Sequence, residues 1–175
     1  MEQGLIHIYC GDGKGKTTAC LGLAIRCAGR NNKVLFAQFL KGRPSGELSS
    51  LALLPNIEVL RGKEILKFTF QMNDVEKQQV AEEHQKLFAQ IIAKCQTEKI
   101  DLLVLDEVVG ACDKGLFDEK LLIDFLRNKD KGLEVALSGR NPSQNLIDLA
   151  DYVSEIKKIK HPYEKGISAR DGIER

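Results

Sequence analysis

The sequence lacks three features that would each place it in a particular class of protein. It has no apolar run that approaches the roughly 20 residues needed to cross a bilayer, so we expect no membrane-spanning segment and no membrane partner. Lysine plus arginine number 26 and aspartate plus glutamate 25, a balance that gives no electrostatic reason to expect nucleic acid as a partner. The five cysteines form no CxxC pair and have no histidine at zinc-site spacing, which favours a reduced, cytoplasmic protein over a disulfide-bonded or zinc-bound one.

What the chain does contain is typical of a single globular domain over residues 1–175. Its length is enough to bury a substantial core, and its 43% hydrophobic and 29% charged residues are the balance of soluble domains. No internal repeat, low-complexity tract or linker divides it. The first apolar segment begins at Leu5, which leaves no room for a signal or transit peptide and agrees with a cytoplasmic location.

The stretch IHIYCGDGKGKTT, residues 6–18, predicts a phosphate-binding loop. Apolar residues up to Tyr9 predict a buried strand, the glycines that follow allow a tight turn, and Lys16 and Thr17 open a helix. In this order the backbone N–H groups and the helix N-terminus converge on phosphate oxygens, the lysine adds charge, and the threonine hydroxyl can bind Mg²⁺. The pattern G-x-x-x-x-G-K-[ST] has glycine where this chain has Cys10, so we interpret the loop as a variant. The alternative is a glycine-rich turn that binds no ligand.

Strands and helices alternate along the rest of the chain and predict a parallel sheet. The first helix, ended by Gly29, and the buried strand that follows it complete a βαβ unit, whose crossover is right-handed. The predicted fold class is therefore α/β, a P-loop NTPase-like (RecA-like), mostly parallel sheet with helices on both faces. The second strand of this unit is predicted over residues 34–39, and further strands over residues 57–60 and 134–137. Further helices are predicted over residues 49–54, 73–97, 118–128 and 146–150.

The long helix predicted over residues 73–97 has the clearest start signal. Asn73 and Glu76 form a capping-box pattern, and apolar residues then recur at helical spacing. His84 lies on that apolar face, so we interpret it as a packed, hydrogen-bonded histidine rather than a functional one.

The segment IDLLVLDE, residues 100–107, predicts a buried strand that ends in two acids. This is the Walker B arrangement, in which an acid holds Mg²⁺ directly or through water. Spacing does not decide whether Asp106 or Glu107 is the ligand. The alternative is an acidic pair that only starts a surface loop.

The motif SGRNP, residues 138–142, follows the strand predicted over residues 134–137. Asn141 and Pro142 predict the cap and first residue of a helix, which places Arg140 at the carboxyl edge of the sheet, facing the phosphate loop. There it could bind an anion or form a surface ion pair. An edge strand is predicted over residues 152–159, and we expect the polar tail, residues 161–175, to be mobile without ligand.

These motifs, taken in order, resemble the P-loop class of ATP:corrinoid adenosyltransferases over almost the whole chain. The segments that carry the resemblance are GDGKGKTTACLGLAIR, VLFAQFLKG, LLVLDEV and LSGRNPSQNLIDLADYVSEIKKIKHPYEKGISARDGIER. The P-loop and the acid pair alone are unspecific. The GKGKTT loop combined with LADYVSEIKxxKHPYxxGIxARxGIE is highly specific.

The resemblance implies attack by the Co(I) of a reduced corrinoid or cobalamin on the 5′-carbon of ATP, with release of the whole triphosphate in adenosylcobalamin synthesis or salvage. ATP would bind in the reverse sense to most P-loop proteins. Lys16 would be the catalytic residue because it neutralises the leaving group, and Mg²⁺ would be held by Thr17 with Asp106 or Glu107. The residues implied in binding ATP or the corrinoid are Gly11, Asp12, Gly13, Lys14, Gly15, Lys16, Thr17, Thr18, Phe68, Phe70 and Arg140.

Two departures from the family pattern concern how the corrinoid is held and covered. The family places Phe-Thr-Trp against the lower face of the corrinoid, whereas this tryptophan-free chain has Phe68, Thr69 and Phe70. The alternative is that both rings belong to the core. Family members commonly carry an N-terminal extension that this chain lacks, so closure is expected from the loop at residues 41–47, the Phe68 segment or the tail. A reducing flavoprotein and a homodimer are also implied.

Two other functions are compatible with the motifs alone. A P-loop kinase or ATP hydrolase would release ADP or free phosphate instead of triphosphate. A nucleotide-binding switch would bind ATP without corrinoid-dependent turnover.

Overall fold

Six parallel strands form one sheet at the centre of the computed structural model, which describes residues 2–42, 44–63 and 71–174. Within these residues the spatial order is β3-β2-β4-β5-β1-β6, and every neighbouring pair is parallel. The parallel α/β prediction is thereby confirmed. The strands are β1 (Ile6–Cys10), β2 (Val34–Gln38), β3 (Ile57–Arg61), β4 (Leu102–Asp106), β5 (Glu134–Ser138) and β6 (Tyr152–Glu155).

The helices cover both faces of this sheet, as predicted. Successive residues of a strand point to opposite faces. In β2, Val34 and Phe36 accordingly pack in a cluster with the first helix, whereas Leu35 and Ala37 pack in a second cluster with the long helix. The helices are α1 (Lys16–Ala28), α2 (Gly46–Leu51), α3 (Asp74–Thr97), α4 (Val108–Asp113), α5 (Glu119–Asn128) and α6 (Gln144–Leu149), followed by a 3₁₀ helix at Pro162–Lys165.

The start of α3 confirms the capping box. The side chain of Asn73 accepts a hydrogen bond from the Glu76 amide, and the Glu76 carboxylate accepts one from the Asn73 amide. His84 is buried and hydrogen-bonded, as expected from its place on the apolar face. Between α1 and α6, every helix in the described ranges is too short or too polar to span a membrane.

The start of α6 corrects one prediction. Its cap is Ser143, whose hydroxyl accepts a hydrogen bond from the Leu146 amide, and not Asn141. The helix begins at Gln144, so Asn141 and Pro142 both precede the cap position, and the Asn141 side-chain amide donates to Asp113 at 3.1 Å. The short helix α4 was not predicted. β6 is at the sheet edge as expected but ends at Glu155.

Candidate active site

The carboxyl ends of four adjacent strands meet at one cleft. Because the strands are parallel, the residues that follow β2, β4, β5 and β1 lie at the same edge of the sheet. The cleft has a volume of about 840 Å³, and its lining includes residues 12–18 of the predicted phosphate loop, but not Gly11, together with Lys41, Glu107 and Arg140. A larger cavity, about 1110 Å³, lies at the opposite edge of the sheet and contains none of the predicted site residues.

The glycines of the loop have two different structural roles. Gly11 and Gly15 adopt positive φ, at 99° and 125°, where side chains are strongly disfavoured. A Cβ on Gly11 or Gly13 would come within 2.5 or 2.7 Å of the Ile156 carbonyl oxygen, just after β6. A Cβ on Gly15 would come no closer than 4.0 Å to the nearest described atom. The first two glycines therefore let the loop pack against the β6 strand end, and the third leaves the mouth of the cleft open.

Hydrogen bonds divide the loop amides into two groups. The Gly11 amide donates to the Arg140 carbonyl at 3.1 Å, and the Gly13 amide donates to the Ile156 carbonyl at 2.7 Å. These two N–H groups are engaged within the protein. The amides at the start of α1, from Lys16 to Thr18, have no intrahelical partner by helix geometry and point out of the helix N-terminus. They are the main-chain donors directed at the cleft.

Lys16 is buried, with 9% of its surface exposed, and its ammonium donates to the Gly13 carbonyl at 2.8 Å. Burial lowers the pKa of Lys16, and the nearby Glu107 carboxylate opposes that effect. A buried ammonium whose bond is to a carbonyl rather than to a carboxylate is available to an anion in the cleft.

The predicted metal ligands lie together. Thr17 Oγ1 donates to Asp106 at 3.0 Å to Oδ1 and 3.3 Å to Oδ2, although the two residues are 89 positions apart in the chain. The Asp106 carboxylate is fully buried, and the Ser138 hydroxyl donates to its Oδ1 at 2.6 Å. The Lys41 ammonium lies 2.9 Å from Asp106 Oδ2 and 3.2 Å from Thr17 Oγ1.

Glu107 points to a different part of the cleft. Its backbone is left-handed, with φ at 62°, and its amide donates to Ser138 Oγ at 2.8 Å. Burial, together with the neighbouring Asp106 charge, raises the pKa of Glu107. Its carboxylate lies over Gly110, where an added Cβ would approach Oε2 to 2.9 Å. Of the two acids, Asp106 is therefore the one hydrogen-bonded to Thr17.

The oxygens around Asp106 suit a divalent cation. Thr17 and Asp106 supply hydroxyl and carboxylate oxygens, and the carbonyl oxygen of Gln38, a side chain only 1% exposed, has no hydrogen-bond partner among the described residues. Nowhere in residues 2–42, 44–63 and 71–174 do three or more His, Cys, Asp or Glu form a group that could hold a metal. Mg²⁺ keeps several waters and takes one or two protein ligands plus phosphates, so this small oxygen set fits it.

Arg140 and the tail complete the walls of the cleft. Arg140 lies at the carboxyl edge beside the loop, as predicted. The Asp12 carboxylate accepts a hydrogen bond from the Lys158 amide at 3.0 Å, which fastens the loop to the chain after β6. From the tail, His161, Ile173 and Glu174 line the same cleft. Phe68 and Phe70 lie outside the described residues.

Sequence reasoning did not identify Lys41, Gln38 or Ser138 as parts of this site. All three are at or just after the carboxyl end of a buried parallel strand, and that position was the signal that could have found them. Lys41 was included only as part of a closing loop.

Comparison with known proteins agrees with this geometry. A family model described as ATP:corrinoid adenosyltransferase BtuR/CobO/CobP matches residues 2–175. A corrinoid adenosyltransferase from Escherichia coli K12 is 29% identical over 174 residues, which cover 99% of this chain and 86% of that protein. The corrinoid adenosyltransferase CobA of Salmonella typhimurium is 30% identical over 179 residues, with the same coverage. One from Pseudomonas aeruginosa is 30% identical over 175 residues, covering 99% of this chain and 84% of its own length.

Among solved structures, EccC (ATPases 2 and 3) of Thermomonospora curvata, in complex with a signal sequence peptide, is similar with a TM-score of 0.51 at 19% identity. The match covers 91% of this chain but only 32% of that one. At this identity the likeness concerns the fold alone.

Proposed function

This chain belongs to the ATP:corrinoid adenosyltransferase family, and we propose that it transfers the 5′-deoxyadenosyl group of ATP to the Co(I) of a corrinoid and releases triphosphate. The observation that carries the proposal is that one family model spans residues 2–175 of a chain whose phosphate loop and Walker B acid meet at a single cleft. The corrinoid would be cobalamin or one of its precursors.

The triphosphate binds at the N-terminus of α1 in this proposal. The amides from Lys16 to Thr18, the positive end of the helix dipole and the Lys16 ammonium surround it, and Gly15 leaves room for the approach. Because the amides of Gly11 and Gly13 are already engaged, these two residues shape the loop and do not donate to phosphate. Asp12 also shapes the loop, because its carboxylate accepts a hydrogen bond from the Lys158 amide. The Arg140 guanidinium adds a second positive charge, beside that of Lys16, at the cleft wall.

Mg²⁺ is held by Thr17 and Asp106, with Glu107 nearby in the cleft. Its chemistry, when it is bound, is to neutralise charge on the phosphates. Ser138 and Gln38 keep the Asp106 carboxylate oriented. The Gln38 carbonyl, which has no partner within the described part of the chain, can accept a hydrogen bond from water around the cation.

The group transfer needs no nucleophile from the protein. The electron pair of Co(I) forms the cobalt–carbon bond at C5′ as the C5′–O bond breaks, and the triphosphate leaves with the electrons of that bond. Negative charge therefore grows on the ester oxygen of the α-phosphate. Lys16 is the catalytic residue because its buried ammonium stabilises this charge in a site with little competing water.

Four further features belong to the proposal. Phe68 and Phe70 contact the corrinoid and favour reduction of Co(II) to Co(I), and a flavoprotein supplies the electron. The protein works as a homodimer in the cytoplasm. We propose all four on the basis of the family resemblance and the sequence.

The test is an assay of the purified protein with ATP, Mg²⁺ and chemically reduced cobalamin. We expect one triphosphate per light-sensitive cobalt–carbon product. Stoichiometric ADP or free phosphate would instead assign a kinase or hydrolase and overturn the proposal. Lys16→Ala should lower kcat by roughly 100-fold or more, as loss of one preorganised electrostatic group does. Lys86→Ala is the matched control, since that lysine is 64% exposed on α3 and lies outside the cleft.

A further inference from the structure

The Lys41 ammonium lies among the oxygens that a metal ion would use. It is 2.9 Å from Asp106 Oδ2, 3.2 Å from Thr17 Oγ1 and 3.4 Å from Glu47 Oε1. The first two atoms are the metal ligands of the proposed function. An ammonium within hydrogen-bond distance of both takes up the space between them.

We propose that Lys41 is a built-in counter-cation that holds the divalent-metal position of this site and must be displaced when the metal binds. The proposal rests on the proposed function, because it takes Thr17 and Asp106 as the metal ligands. It makes Lys41 a positioning residue for the reaction.

The burial of Asp106 explains why a resident cation is needed. Its side chain has 0% exposure, and a carboxylate without a compensating charge is costly in such a place. Ser138, Thr17 and Gln38 donate neutral hydrogen bonds to it, and Lys41 supplies the opposite charge. The Lys41 ammonium, 2.9 Å from Asp106 Oδ2 and 3.2 Å from Thr17 Oγ1, would therefore compete with any other cation for the same oxygens.

Hydrogen bonds hold the backbone at Leu40 and Lys41, so we expect displacement to move the Lys41 side chain. Leu40 has a left-handed φ of 55°, and its amide donates to Nε2 of the buried His84 at 3.2 Å. The carbonyl oxygen of Lys41 accepts a hydrogen bond from Arg61 at 3.0 Å. We expect a displaced ammonium to remain within the cleft, because Glu47 is already a partner at 3.4 Å.

Direct metal binding without nucleotide or corrinoid tests the proposal. The probe is Mn²⁺ in place of Mg²⁺, with free Mn²⁺ measured by electron paramagnetic resonance. In Lys41→Met the competing charge is gone and the Asp106 carboxylate is left uncompensated, so we expect Mn²⁺ to bind at least roughly tenfold more tightly than to the unaltered protein. Lys41→Gln keeps a hydrogen-bond donor but no charge, so it should also bind Mn²⁺ more tightly than the unaltered protein. It replaces Lys41→Met in the test if the methionine variant does not fold.

Two controls locate the effect. Lys86→Met removes an exposed lysine of α3 and should leave Mn²⁺ binding unchanged. Adding Asp106→Asn to Lys41→Met should abolish the gain, because the carboxylate is the proposed ligand. Equal Mn²⁺ affinity in Lys41→Met and Lys86→Met would overturn the proposal, as would a gain that survives Asp106→Asn. Neither result bears on the release of triphosphate, so failure here is distinct from failure of the proposed function.

Discussion

The Ser138 hydroxyl donates to Asp106 Oδ1 at 2.6 Å and joins the carboxyl ends of the neighbouring strands β5 and β4. The Ser138 Oγ also accepts a hydrogen bond from the Glu107 amide at 2.8 Å. One buried hydroxyl therefore orients a carboxylate and satisfies the backbone at a left-handed residue.

Ser138→Ala should lower the free energy of unfolding by about 2–3 kcal/mol, because it removes a hydrogen bond to a buried charge and leaves the Glu107 amide without its acceptor. Urea unfolding without ligand is the measurement. Ser154→Ala, on the exposed strand β6, is the control and should change stability by less than about 0.5 kcal/mol. Equal losses in the two variants would contradict this role for Ser138.

Gly13 and Gly22 offer a contrast between two glycine-to-alanine changes. At Gly13 the new Cβ would lie 2.7 Å from the Ile156 carbonyl oxygen and 2.9 Å from the Lys157 carbonyl carbon, and backbone atoms cannot move aside cheaply. We expect Gly13→Ala to destabilise the protein by about 1–3 kcal/mol and to weaken ATP binding, measured by urea unfolding and calorimetric titration.

Gly22 is the matched control within α1. No described atom lies within 4 Å of its added Cβ, and alanine is the better helix former. Gly22→Ala should therefore raise stability by about 0.5–1 kcal/mol and leave ATP binding unchanged. If Gly13→Ala were as stable as Gly22→Ala, the loop would not depend on its contact with the strand end.

The elements with strong local signals could be predicted from the sequence. The apolar strands, the phosphate loop and the capping box at Asn73 each depend on residues close together in the chain, so their pattern is visible without a structure. The cap of α6 was predicted at Asn141, but the helix begins at Gln144 with Ser143 as its cap, and local patterns do not fix a boundary to within two residues. The contact of Lys41 with Asp106 joins residues that follow or end the neighbouring strands β2 and β4. It could not be predicted without knowing that these two strands are adjacent in the sheet. The short helix α4 follows a left-handed residue, which sequence patterns do not predict for glutamate.

His84 should make stability depend on pH. Its Nε2 accepts the Leu40 amide and its Nδ1 donates to the Leu116 carbonyl at 2.9 Å, so the bonded imidazole is neutral. Burial lowers the pKa of His84 below its ordinary value of 6.5. Below about pH 6.5, His84 is therefore protonated in the unfolded chain but still neutral in the folded chain. The free energy of unfolding falls with decreasing pH until the folded pKa is reached.

The measurement for His84 is urea unfolding of the unaltered protein and of His84→Gln at about pH 7.5 and about pH 5.5. The stability advantage of the unaltered protein should shrink at the lower pH by up to about 1.4 kcal/mol per pH unit below 6.5. Because both proteins keep the other histidines, the difference isolates His84. The same change with pH in both would contradict the expectation.

The tail should become protected when both substrates bind. His161, Ile173 and Glu174 line the cleft beside the phosphate loop, whereas Lys165 is exposed at the end of the 3₁₀ helix. Ligands that fill the cleft would contact the lining residues and restrain the segment between them, so the local opening needed for proteolysis becomes rarer. We expect trypsin cleavage after Lys165 to slow when ATP and corrinoid are added together.

Cleavage after Lys131 is the internal reference for that experiment. Lys131 is exposed in the turn before β5, at the edge of the sheet opposite the cleft. If the ligands act on the tail itself, cleavage at Lys165 slows and cleavage at Lys131 does not. Equal slowing at both sites would mean that the ligands only stabilise the whole fold, and an unchanged rate at Lys165 would mean that the tail takes no part in closure.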